Sequence, residues 1–309
     1  MQVSALLPCM VFSPEMNRIS IFLNALRVHQ WLKNTLLFVP LLTSHKVTEI
    51  GLVLQTGYAF VAFSLCASSV YIVNDLWDLE SDRQHPHKRF RPFAAGFLNV
   101  KTGVLLAPLL LAGAFAITFL FLTPLFGASL ALYVGLATAY TFYFKRVLII
   151  DVLVLAALYT LRVLSGGIAV SVPVSHWLLA FSMFLFLSLA FLKRYSELRI
   201  SQERHQMHVR GRSYAVEDIE LIRSIGPTSG YLSVLILGLY INSQEVIPLY
   251  HHPAALWFIA PCLLYWLTRM WFLAHRGEMV DDPLVFSVKD AQSYVVGFFV
   301  GAILILASV

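Results

Sequence analysis

The sequence predicts an all-α protein that crosses a membrane many times, and three observations predict it. Of 309 residues, 59% are hydrophobic and only 13% are charged, whereas soluble domains run nearer to about 45–50% and about 25%. Mean hydropathy is +0.75. Apolar runs of about 20 residues, the length that spans hydrocarbon, follow one another along nearly the whole chain.

Nine such runs fall near residues 19–42, 50–76, 102–122, 124–144, 148–170, 174–192, 219–241, 253–273 and 291–309. Two proline-containing turns, at 123–124 and 171–173, divide pairs that hydropathy alone would fuse. Residues 1–17 form a leader of no assigned role, without the basic start of a cleavable signal, and Met16 is an equally good start. Residues 18–309 are expected to form one transmembrane domain. Cys9, Cys66 and Cys262 are far apart and suggest neither a disulfide framework nor a zinc site.

Charge fixes the expected orientation. The loops after the second, fourth, sixth and eighth runs, with their flanking ends, hold 17 of the 22 Lys and Arg, and the opposite loops hold only Lys46. That bias places the even-numbered loops and the amino terminus in the cytoplasm, and nine spans put the carboxyl terminus outside. A bacterial-type inner membrane is the expected location. No stretch reads as a soluble second domain, and no Gly-rich phosphate loop or nucleic-acid motif is present.

The richest chemistry lies in residues 74–96, NDLWDLESDRQHPHKRFRPFAAG. Asn74, Asp78 and Asp82 are spaced i, i+4, i+8, and Asp75 falls three before Asp78, so a continuing helix puts all four on one face. Lys88, Arg89 and Arg91 follow at once. Carboxylates beside bases suit Mg2+ and a diphosphate, because Mg2+ is usually held by one or two carboxylates plus the substrate's own phosphates. Asn74, Asp75, Asp78 and Asp82 are therefore the candidate metal ligands, with Asp78 and Asp82 also assigned to catalysis.

Polar groups inside the spans are the other candidates. In the first run, Arg27, Gln30 and Asn34 share a helical face with Lys33 adjacent; an interfacial snorkelling segment and a phosphate site both account for them. Asp151 and Arg162 share a face of the fifth helix but stand about 16 Å apart along its axis, so each needs a different partner. Gly166 and Gly167 allow another helix or a ligand to approach closely. Tyr140 and Lys145 end the fourth helix, and Lys193, Arg194 and Glu197 the sixth; a basic inner terminus is the competing reading for both. His85, His87, His205 and His208 lie in basic loops and read as solvated or phosphate-contacting groups rather than metal ligands. Glu278, Asp281 and Asp282 are expected on the cytoplasmic side, where they could help close the site, although a solvated loop is the better reading.

The motif N-D-x-x-D-x-x-x-D followed by R-x-R-P, carried by Asn74, Asp75, Asp78, Asp82, Arg91 and Pro92, resembles the first aspartate-rich motif of the UbiA superfamily of intramembrane prenyltransferases. The resemblance implies a nine-helix bundle with its amino terminus inside. It departs at the end of the sixth helix, where a second acidic motif is expected and Lys193-Arg-Tyr-Ser-Glu197 stands instead. The chain looks more like the branch typified by decaprenyl-phosphate phosphoribosyltransferase. The shared features are Q-W-x-K-N (Gln30–Asn34), H-P-x-K-R-x-R-P (85–92), Arg162 before Gly166-Gly167, and K-R-Y-x-E-L (193–198). That branch implies Mg2+-dependent transfer of phosphoribose from phosphoribosyl diphosphate (PRPP), a soluble diphosphate, to polyprenyl phosphate, a membrane lipid. Lys33, Asn34, Lys88, Arg89, Arg91, Tyr140, Lys145, Arg162, Lys193, Arg194 and Glu197 become the expected substrate contacts. Two alternatives remain: prenyl transfer from an isoprenoid diphosphate to an aromatic or other acceptor, and a transporter.

Overall fold

The computed structural model describes residues 17–84, 88–205, 207, 211–244, 246, 249–279 and 282–308. The leader up to residue 16, His85, His87, His208, Arg210 and Asp281 lie outside the described residues. In chain order the helices are α1 (Arg18–Ala25), α2 (Val39–Thr43), α3 (Ile50–Trp77), α4 (Leu79–Arg83), α5 (Val100–Phe121) and α6 (Pro124–Phe142). They continue as α7 (Ile150–Ala169), α8 (His176–Glu203), α9 (Ile219–Ile241), α10 (Ile259–His275), α11 (Pro283–Lys289) and α12 (Ala291–Ser308). Among the described residues eight helices, α10 being extended by the 3-10 turn Pro253–Phe258, are long and apolar enough to cross a membrane.

The ninth expected span, residues 19–42, is broken. Between α1 and α2 the chain runs as a 3-10 helix over Val28–Phe38, entered through Arg27 in the left-handed region at φ 50°. Eleven residues is long for this geometry, which seldom exceeds about 3–4 residues. Pro40 explains part of it, since its ring excludes an α-type bond to the carbonyl of Leu36. That carbonyl instead accepts from Val39 three residues on. Side-chain bonds to α3 hold the segment: Trp31 donates to Ser68 Oγ at 3.0 Å and Asn34 to Ser64 Oγ at 3.0 Å.

The tighter pitch changes which residues share a face. Three residues per turn aligns Gln30 and Lys33 beneath Arg27, and these three line one cavity. Asn34, which α-helical spacing aligns with Arg27, is fully buried towards α3 and α7.

α7 is the central post. It is 61% buried, against 6% for the peripheral α12, and it contributes to the apolar clusters on both of its sides, one with α3 and α6 and one with α8. Gly166 sets how closely the 3-10 segment lies on it, for a Cβ there would strike the backbone carbonyl of Leu37. Gly166→Ala is expected to cost about 1–3 kcal/mol, seen as a lower melting temperature in detergent. Gly297→Ala on α12, where a Cβ meets nothing within 4 Å, is expected to leave that temperature unchanged.

Candidate active site

At one end of the bundle the helices part around a cavity of about 500 Å3. The acidic motif forms one wall. α3 ends at Trp77, yet the hydrogen-bond pattern carries through the joint: Asp78 N–H donates to the Asn74 carbonyl at 2.9 Å and Asp82 N–H to the Asp78 carbonyl at 2.8 Å. Asn74, Asp78 and Asp82 therefore face the cavity. Asp75 lies just behind them, 3% exposed, bonded to Arg27 and to Arg91 at 3.1 Å. Arg91 also bonds Asp82 at 2.6 Å, and Lys145 reaches across from the end of α6 to Asp78 at 3.0 Å. Burial pushes the Asp82 carboxyl above the usual range, although Arg91 and Lys88 pull it the other way. Burial lowers Lys88, with Arg91 adding to the effect.

The opposite wall carries two further clusters. Asp282, which caps α11, bonds Lys33 at 2.9 Å and Lys193 at 3.2 Å. Burial alone would raise its carboxyl; the two lysines instead hold it well below the usual carboxylate range. The loop acid expected to be solvated is thus a clamp between two bases of the cavity. Asp282→Ala removes both ion pairs and the cap on Leu284 N–H, so amide exchange over Pro283–Lys289 should quicken by roughly 10-fold. The second cluster centres on Asp151, fully buried at the start of α7. It accepts from Tyr140 at 2.7 Å, from Arg212 at 3.0 Å and from Arg194. Arg194 also bonds Glu197.

Arg162 lies deeper and is differently placed. It is 4% exposed, its guanidinium donates to Asn34 Oδ1, the Leu158 carbonyl and the Tyr133 hydroxyl, and no carboxylate reaches it among the described residues.

Of the expected contacts, Lys33, Lys88, Arg91, Tyr140, Lys145, Arg162, Lys193 and Glu197 line the cavity. Asn34 and Arg194 support it from behind, and Arg89 is exposed, stacked over Phe90 at 4.8 Å. Arg212 is a member that the sequence does not single out, and Asp282, an acid weighed as able to help close the site, lines the cavity; both come from connecting segments whose local pattern is that of any solvated loop.

Among the described residues no three His, Cys or acidic side chains already form a metal cage. The donor set nevertheless suits a hard cation. One Arg91 nitrogen lies between carboxylate oxygens of Asp75 and Asp82, so a positive charge already occupies a point that both acids share, with Asp78 on the same wall.

The UbiA prenyltransferase family matches residues 35–289. The uncharacterized protein y4nM of Sinorhizobium fredii is 39% identical over 96% of this chain; the chain spans only 57% of that relative's length. Nodulation protein NoeC of Azorhizobium caulinodans is 37% identical over 89% of both chains. Decaprenyl-phosphate phosphoribosyltransferase of Mycobacterium tuberculosis is 35% identical over 62% of this chain and 65% of its own. Among solved structures, a UbiA homolog from Archaeoglobus fulgidus bound to GPP and Mg2+ has a TM-score of 0.68 and 14% identity, covering 93% of this chain and 99% of that one.

Proposed function

The chain belongs to the UbiA prenyltransferase family, and from that premise we propose that it transfers phosphoribose from PRPP to a polyprenyl phosphate. The observation that carries the reading is the charge of the cavity. Among the described residues nine Lys and Arg line it against four carboxylates, Asp78, Asp82, Glu197 and Asp282, for a net charge of +5. A prenyl donor brings one diphosphate. PRPP with a lipid phosphate brings a diphosphate and two monoesters, on the order of seven negative charges in all. The larger anionic load matches the cavity. The place where the resemblance implies a second acidic motif holds Lys193 and Arg194, which favours the same assignment.

Asp75, Asp78 and Asp82, with Asn74 beside them, are the residues that would hold Mg2+. When bound, it neutralises charge on the departing diphosphate. Arg91 and Lys145 exchange their carboxylates for phosphate oxygens, with Lys88 on the same cavity, and Lys33 and Lys193 do likewise as Asp282 yields. An oxygen of the lipid phosphate forms a bond to C1 of the ribose while the C1–O bond to the diphosphate breaks, the electron pair leaving with the diphosphate. A monoester with a second pKa of about 6 is mostly dianionic near neutral pH, so no general base is needed. Positioning and charge stabilisation supply most of the rate. In this reading the polar end faces the cytoplasm of a bacterial inner membrane, with the amino terminus inside and the carboxyl terminus outside.

A second reading, prenyl transfer from an isoprenoid diphosphate, is favoured by the homolog of the same fold bound to GPP and Mg2+. Incubating the purified chain with radiolabelled PRPP, Mg2+ and polyprenyl phosphate, then extracting lipid, separates the two. Label in the organic phase is expected. Transfer from a prenyl diphosphate with none from PRPP establishes the second reading instead.

A further inference from the structure

Resting on that reading, we propose that Arg162 is the subsite for the monophosphate head group of the lipid acceptor, rather than for either phosphate-bearing end of PRPP. Six other cations of the cavity, Arg27, Lys33, Arg91, Lys145, Lys193 and Arg212, each have a carboxylate partner. Arg162 has none among the described residues, although it is the deeper-lying charge. Burying a cation away from any counter-ion is costly, and an anionic ligand arriving from the cavity removes that cost.

The guanidinium is built to receive one. It has five N–H donors, of which three are used: Nε to Asn34 Oδ1 at 2.9 Å, Nη1 to the Leu158 carbonyl at 2.6 Å and Nη2 to the Tyr133 hydroxyl at 3.0 Å. Two remain, one on each terminal nitrogen, which suits the paired oxygens of a phosphate. The group is locked in place by the rings of Tyr133 and Tyr159, 4.8 and 5.4 Å away. Its Asn34 partner is fixed in turn by Ser64 at 3.0 Å.

Depth distinguishes the lipid phosphate from the ribose phosphate. Arg162 lies about 16 Å along α7 from Asp151, which is linked through Arg212 to Lys145, the partner of Asp78. Its side chain turns back one helical turn towards the acidic end, as its bond to Leu158 shows. The lining of the same cavity includes the apolar Ala137, Leu155 and Leu158, and Leu158 is one helical turn from Arg162 and bonded to it through its carbonyl. An anion that carries an apolar tail fits that lining, and the acceptor is the substrate that has one.

Binding to the purified chain tests this without requiring turnover. Farnesyl phosphate stands for the acceptor, farnesol is the uncharged control, and PRPP with Mg2+ is measured in parallel. Arg162→Gln should weaken farnesyl phosphate by roughly 10–100-fold, with farnesol and PRPP changed by no more than about 2-fold. Arg162→Lys should retain part of the affinity, which guards against a variant that merely misfolds. Loss of PRPP binding with farnesyl phosphate unaffected would overturn the assignment in favour of the ribose phosphate. Equal weakening of farnesol and farnesyl phosphate would reduce Arg162 to a packing role. Farnesyl phosphate binding that depends on Arg162 in a chain that transfers nothing from PRPP supports the subsite and removes the phosphoribosyl reading, so the two failures are separable.

Discussion

Asp78→Ala is expected to lower kcat/KM for phosphoribosyl transfer by on the order of 10²–10³-fold, and to raise the Mg2+ concentration needed for half-maximal rate. Asp78 is the motif carboxylate with the least internal support. Its side chain is 26% exposed and its one ion pair among the described residues is with Lys145, whereas Asp75 is held by both Arg27 and Arg91. Removing it therefore takes away a ligand with little cost to the fold. Glu80→Gln is the matched control, since Glu80 lies two residues on, in α4, but points outwards, its side chain 80% exposed beside Arg83. Its rate should match the unmodified chain. Normal transfer by Asp78→Ala at limiting Mg2+ would remove the acidic motif from the chemistry.

The same geometry explains why the acids and bases are interleaved. Every motif carboxylate is paired with a cation from outside the acidic run: Arg27 and Arg91 on Asp75, Lys145 on Asp78, Arg91 on Asp82. A diphosphate with its metal offers both halves of these pairs a new partner at once, a cation for the carboxylates and anionic oxygens for the bases. Neither half is left bare in the exchange, which avoids the penalty of an isolated buried charge.

What the sequence made legible was the part governed by local periodicity. Apolar runs gave eight continuous spans, and the i, i+4 spacing correctly placed Asn74, Asp78 and Asp82 on one wall, because the backbone pattern survives the joint at Asp78. Reading residues 28–38 as an α-helix failed for a tertiary reason: Pro40, the Leu37–Gly166 contact and the bonds to Ser64 and Ser68 select a tighter pitch. The charge that begins at residue 193 predicts an end to the sixth span at 192, but α8 continues to Glu203, with the first charged turn tied down where Arg194 bonds Asp151 and Glu197. Arg212 and Asp282 act through contacts with residues 61 and 249 positions away, and no local pattern encodes such a return. Arg162 and Asp151 are legible as needing partners; only the fold shows that Asp151 finds two arginines and that Arg162 finds no acid among the described residues.

That contrast sets up the largest stability effect. Asp151→Ala leaves Arg194, 1% exposed, with Glu197 as its remaining carboxylate, and leaves Arg212 with none among the described residues. Breaking a buried pair by deleting one partner costs about 3–5 kcal/mol, which corresponds to a melting temperature lower by on the order of 10 °C. The loop at 211–214 should loosen with it. Arg212 is held there by Asp151, Tyr140 and the Lys145 carbonyl, and Tyr214 accepts from Ile149 N–H at 3.2 Å. Amide exchange in that loop should quicken more than in α12, which touches none of these residues. Replacing both members, Asp151→Leu with Arg194→Met, removes the fully buried stranded cation but leaves Arg212 and Glu197 without these partners, so it should recover only part of the lost stability. A double variant as unstable as the sum of the singles would mean that the two residues stabilise the fold independently.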